Sequence, residues 1–274
     1  MKMLNVPKKI ENSIFNSERT ITSQYLVDKF NIEKRTASIY LSRLSRDGLV
    51  NRIGRGIYLS SKEININIEI DPSVEKIHNI IKNNLPYLDF VIWSIFNLKK
   101  FFHLIPTKTY IFIEAEDIFE LKTINELLFD QGIESIINPE IKDFENLPYR
   151  KEVPVLLFKR KNTYGINIIS GINTPIFERC IIDLYYYITR KHLNFPFEEI
   201  RTILINIIKA GKFNFSFALR YAKIRNIELE FLLIFSKLHQ ILPSHIPIIF
   251  TKRIKKIQKF LELIFGENWI NGIL

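Results

Sequence analysis

Apolar positions recur along this chain with three different periods, and the changes of period mark its organisation. Behind Pro7, "PKKIENSIFN" sets Ile10, Ile14 and Phe15 on one side of a predicted first helix. Thr22 or Ser23 is placed to cap a second, "SQYLVDKF", in which Tyr25, Leu26 and Phe30 return at helical spacing. Asn31 follows where a helix commonly leaves through a left-handed residue. A third helix is predicted from about Lys34 to Asp47, closed by Gly48, with Ala37, Leu41 and Leu44 as its buried stripe. "LVNRI" and "IYLS" then predict two short strands joined through Gly54-Arg55-Gly56, a hairpin signal.

Beyond this the period changes. "SKEININIEIDP" (61–72) alternates and suits a strand or an extended connector, so a boundary is placed there. "EKIHNIIKNN", "NLKKFFH" and "IFELKTINELLFDQG" carry helical spacing, while "DFVIWSI", "TYIFIEAE", "IESIINP" and "VPVLLFKR" have the apolar runs of buried strands. Interleaved strands and helices argue for an α/β sheet layer. After Thr174-Pro175 only helical periodicity remains, ending in the basic amphipathic "KRIKKIQKFLELIFG". The expected fold class is α+β: residues 1–62 an amino-terminal winged helix-turn-helix, 63–172 a central α/β sheet layer, and 173–274 a carboxy-terminal helical bundle.

Charge sharpens this division. The chain has 39 Lys and Arg against 29 Asp and Glu, a formal net charge of +10. Residues 1–62 hold 12 basic and 5 acidic residues, or +7, which leaves only +3 for all the rest. That sign favours a polyanionic partner. The longest apolar runs, "FVIWSIF" and "FLLIF", fall far short of the roughly 18 residues a membrane span requires. The amino terminus predicts no signal peptide, so a cytoplasmic protein is expected. Cys180 is the single cysteine, which excludes an internal disulfide and a thiolate zinc cluster.

Three short helices and a hairpin in about fifty residues have the layout of a winged helix-turn-helix, whose third helix enters the major groove. With Ala37, Leu41 and Leu44 turned inward, helical spacing turns Arg35, Thr36, Ile39, Ser42, Arg43 and Arg46 outward. Arginine reads guanine bidentately, and Ser or Thr reaches bases or phosphates. Short side chains at 36, 38 and 42 keep the helix slim. Lys34, Arg46, Arg52 and Arg55 are expected to touch phosphate and so to set position more than sequence. The plainer alternative is a solvated basic helix followed by an ordinary hairpin.

"LVDKFNIEKRTASIYLSRLSRDGLVNRIGRGIYL" resembles the winged-helix start of the AbiEi-type antitoxin and transcriptional-regulator family. "FVIWSIFNLKKFFHLIPTKTYIFIEAE" (90–116) and "TPIFERCIIDLYY" (174–186) are similar to a branch related to those antitoxins. Trp93-Ser94, His103, Pro106, Glu114, Thr174-Pro175, Glu178 and Asp183 carry the likeness, with Ile95 and Arg179 as departures where Thr and Lys are usual. The resemblance implies a repressor of its own operon whose protomers pair on inverted-repeat double-stranded DNA. It further implies an antitoxin of type IV, opposing a nucleotidyltransferase-type toxin functionally rather than by stable contact.

Other functions are weighed against this. A protein-interaction adaptor would use the winged helix to dock a partner. A metal-dependent nuclease would need acids and a lysine gathered at strand ends, for which Asp89, Glu114, Glu116, Lys159, Arg160 and Lys161 are the candidates. The second acid is followed by "AEDIFE", with no lysine two residues on, so no enzyme is expected. His78, His103, His192, His239 and His245 have no metal-ligand spacing, and no Gly-rich phosphate loop appears, so neither metal nor cofactor is expected. The aromatics at 185–187 and Phe213, Phe215 and Phe217 suit a core, with base stacking as the alternative. Glu178 and Asp183 are expected to hold a neighbouring loop, near Trp93 or His103.

Overall fold

A computed structural model of the 274-residue chain describes residues 6–15, 20–46, 49–54, 56–60, 69–106, 108–150, 152–160 and 163–246. The fold is mixed α+β. Two compact units divide it, one from the described residues within 1–66 and 205–274, the other within 67–204. This differs from three consecutive segments: residues 173–204 group with the α/β part, and the described residues 205–246 with the amino-terminal part. The predicted helix at 252–259 lies outside the described residues.

The first unit opens with α1 (Lys8–Phe15), a two-residue strand β1 (Ile21–Thr22), α2 (Ser23–Phe30) and α3 (Lys34–Arg46). The strands β2 (Val50–Gly54) and β3 (Ile57–Ser60) complete the segment. Thr22 caps α2, its hydroxyl accepting from the Tyr25 amide at 3.1 Å, and Asn31 ends it in the left-handed region at φ 50°. Ile10, Ile14, Leu26, Ala37, Tyr40, Leu41, Leu44, Val50 and Tyr58 form one buried cluster. β1 and β2 both pair antiparallel with β3, in the order β1-β3-β2. β1 is an addition to the predicted hairpin, and two residues are too few to carry a visible period.

The same unit takes in α9 (Phe215–Ile224) and α10 (Glu228–Ile241). Phe213, Phe215, Phe231 and Phe235 pack edge to face in its core. α9 also approaches β2 closely: a Cβ on Gly54 would lie 3.3 Å from the Ser216 hydroxyl.

The second unit is built on a four-stranded sheet of order β4-β5-β7-β6, with β4 (Phe90–Ser94), β5 (Ile111–Ala115), β6 (Ser135–Ile137) and β7 (Val155–Lys159). β4 runs antiparallel to β5, while β5, β7 and β6 are parallel. Every residue of β4 and β5 is buried, as covering on both faces requires. One face packs Ile92, Ile113 and Leu157 against α4 (Pro72–Asn84) and α5 (Ile118–Asp130). On the other, Phe112 stacks on Trp93 and on Tyr187 of α7 (Phe177–Lys191), with centroids 4.5 and 5.0 Å apart.

A short helix and a hairpin add to the predicted order. A short helix α6 (Ile141–Asn146) precedes β7, and β8 (Ile166–Ile169) pairs with β9 (Ile172–Pro175) across Ser170-Gly171. Both turn residues have positive φ, 51° and 80°, as a two-residue primed hairpin turn demands. The remaining helix, α8 (Phe197–Lys209), follows α7 in the chain. Among the described residues, no helix is long and apolar enough to cross a membrane.

Candidate nucleic-acid interface

α3 is amphipathic in an unusual sense: its second face is cationic rather than mixed. Its buried side is Ala37, Tyr40, Leu41 and Leu44. Tyr40 was not in the predicted stripe, although it stands three residues from Ala37 and four from Leu44, the spacing that shares a face. The Ala37 amide donates to the Glu33 carbonyl at 2.9 Å, and the Leu49 amide returns to the Leu44 carbonyl at 2.8 Å, leading the chain into β2.

The outward side holds most of the predicted site residues. Lys34, Arg35, Ile39, Ser42 and Arg46 are exposed, and Thr36 and Arg43 are half-buried. Arg35, Ser38, Ile39, Ser42, Arg43 and Arg46 line one shallow, open hollow of about 630 Å³. Ser38 joins the set through its position; its hydroxyl donates back to the Lys34 carbonyl at 2.9 Å. Arg52 on β2 is exposed, and its Nε donates to the Gly54 carbonyl at 3.3 Å, which folds the side chain along the hairpin. Arg55 lies outside the described residues.

Among the described residues, the charge on α3 meets no acidic partner. The helix contains no acid, and its first turn carries Lys34 and Arg35 instead. A helix amino terminus bears a partial positive charge, so cations there are unfavourable for the helix alone. Among the described residues, none of Lys34, Arg35, Arg43 and Arg46 forms an ion pair with an acid. Together the dipole and the side chains of Lys34 and Arg35 make this end of α3 attractive to an external anion.

In the second unit, charged groups meet partners within the protein. Glu114 lies on the α7 side of β5, where its carboxylate accepts from Arg179. Arg179 also donates to the Tyr164 carbonyl at 2.7 Å, and its Nε is 3.5 Å from Asp183. Asp89 pairs with Arg160 at 2.8 Å and accepts from Asn173 at 2.8 Å. The Glu116 amide donates to Glu120 at 2.7 Å, Lys159 is exposed at the end of β7, and Lys161 lies outside the described residues. Among the described residues, no group of three or more His, Cys, Asp or Glu is placed to hold a metal. Burial and the nearby Asp183 carboxylate push the Cys180 thiol well above its ordinary range.

The motif residues Trp93-Ser94 and His103 have structural partners too. The Ser94 hydroxyl donates to Asp71, the cap of α4, at 2.7 Å, and the Ser94 amide donates to Asn97 at 2.8 Å. The His103 and Leu104 amides both donate to the buried Glu199, which holds that loop in place. Glu199 was not singled out by sequence, because its partner stands nearly a hundred residues away.

Fold and charge distribution thus define a mixed α+β protein with an isolated cationic helix face. Residues 36–241 match the family of unknown function DUF6577, and this span covers most of the chain, which belongs to that family. The match begins within α3 and runs to the end of α10. No curated protein matches the chain.

Proposed function

We propose that the elements from α1 to β3 act as a winged helix-turn-helix and that the protein is a sequence-specific, DNA-binding transcriptional regulator. The observation that supports this best is α3: one side is completely buried, and the other presents arginines with no acid on the same helix. Arg35, Thr36, Ile39, Ser42 and Arg43 would face the major groove of double-stranded DNA, and Lys34, Arg46, Arg52 and Arg55 the phosphates.

The resemblance to AbiEi-type antitoxins extends the proposal. In that form two protomers bind an inverted-repeat operator, repress their own operon, and counteract a nucleotidyltransferase-type toxin without a stable complex. The central α/β layer and the carboxy-terminal helices then serve as scaffold, and the chain works in the cytoplasm without a cofactor.

Competition on the DNA upstream of its own gene tests the regulator. The full chain should bind one segment of that DNA at least a thousandfold more tightly than random duplex, about the lower end for specific binders. Binding indifferent to sequence and to salt would reject it, and would point to a docked protein partner instead.

A further inference from the structure

Ile39 is the anomaly of the outward face. It is 39% exposed in the middle of a row otherwise cationic or hydroxylic, and it lines the same hollow as Arg35, Ser42, Arg43 and Arg46. The inward stripe is complete without it, since Ala37, Tyr40, Leu41 and Leu44 already fill that side. A single exposed apolar residue means little on an ordinary surface. Here it stands one turn from Arg35 on one side and one turn from Arg43 on the other, so the three side chains form a single ridge.

A branched hydrocarbon gains nothing from a phosphate oxygen or from the polar edge of a base. The apolar feature that the major groove offers is the methyl group at C5 of a pyrimidine, as thymine carries it. We propose that Ile39 is a specificity-determining residue that packs on such a C5-methyl, between base positions reached by Arg35 and Arg43. This rests on the reading of α3 as the groove-facing helix. At 1.5 Å rise per residue, Ile39 lies about 6 Å along the axis from each arginine. That is roughly two base steps of 3.4 Å, which puts the methyl inside the recognised sequence and not at its margin. Thymine and 5-methylcytosine present the same group, and the test separates them.

Duplexes are first selected by the full chain from random-sequence libraries, one unmodified and one carrying 5-methylcytosine. Each thymine of the selected site is then replaced by deoxyuridine, which removes the methyl alone, and each 5-methylcytosine by cytosine. Loss of one buried methyl should weaken binding about fourfold at a single position. Thymine is the source if that position is a thymine, and 5-methylcytosine if it is a modified cytosine. Ile39→Ala, at an exposed site where alanine favours the helix, should bind the methylated and demethylated duplexes equally, while Ile39→Val keeps part of the difference. Selected duplexes that remain sensitive to Arg35→Ala but respond to demethylation at no position would overturn the role of Ile39 alone. Failure to enrich any duplex would overturn the groove-facing reading of α3, and the role of Ile39 with it. Equal methyl sensitivity in wild type and Ile39→Ala would assign the methyl contact to another residue and likewise reject the inference.

Discussion

The first turns of α7 and α3 each carry an arginine, and the surroundings of the two are opposite. In α7, Arg179 is 1% exposed, follows Glu178, and is met by Glu114 from β5 and by Asp183 one turn on. In α3, Lys34 and Arg35 open a helix without a single acid, and they are exposed. A buried guanidinium must be neutralised and hydrogen-bonded by its own protein or it destabilises the fold. An exposed one costs little, contributes little to stability, and stays available. The contrast separates charge neutralised within the protein from charge left exposed: α7 closes its electrostatics internally, and α3 leaves them open.

The largest effect should come from breaking the closed side. Glu114→Ala leaves Arg179 buried without its strongest partner and should destabilise the second unit by about 3–5 kcal/mol in denaturant titrations. DNA affinity per folded molecule should not change, because Glu114 is remote from α3 in function. A loss of specific binding with stability intact would reverse that assignment.

On the open side, Arg35→Ala should cost about 1–3 kcal/mol on the preferred duplex and much less on random DNA. Equal losses on the two would remove Arg35 from base reading. Thr22→Ala, which deletes the cap of α2, should lower stability by about 0.5–2 kcal/mol, seen as an earlier thermal midpoint.

Arg35→Glu gives the sharpest contrast of sign. An acid in the first turn suits the helix dipole, so stability should rise by about 0.3–1 kcal/mol while DNA binding collapses. A variant both less stable and still binding would contradict the view that this residue serves a partner at the expense of its helix.

The smallest effect is a pH dependence at Glu69. Its hydrogen bond to Lys100, at 2.6 Å, holds this exposed carboxyl below its ordinary value. Its folded pKa is therefore lower than its unfolded one. The contribution is present above the unfolded value and disappears as pH falls through the folded value. Glu69→Gln should remove a shallow part of the acid-side loss, and an unchanged acid limb would show that the pair adds nothing.

Local signals carried much of the fold. The Thr22 cap, the left-handed Asn31, the stripe of α3 and the buried strands β4, β5 and β7 all depend on residues within a few positions of one another. The β8–β9 hairpin carries a local signal as well, since Ser170-Gly171 sits between isoleucine-rich segments. Long-range partnership was not legible. Nothing in the spacing near Arg179 indicates Glu114, 65 residues away, and nothing near Gly54 indicates Ser216. For the same reason residues 173–204 and 205–246 look alike by periodicity yet belong to different units. The outward residues of α3 were legible because a helix fixes both its faces once one is known; which partner meets them is a matter of chemistry outside the chain.

As proposed, α3 holds its cations for the phosphates and bases of a duplex. The most direct test is the slope of log affinity against log salt for the wild-type chain and for Arg46→Ala. Each phosphate contact contributes about 0.9 to that slope on B-form DNA. The prediction is a steep wild-type slope that falls by about one in the variant, with sequence preference retained. A flat wild-type slope, or one that Arg46→Ala leaves unchanged, would contradict the claim.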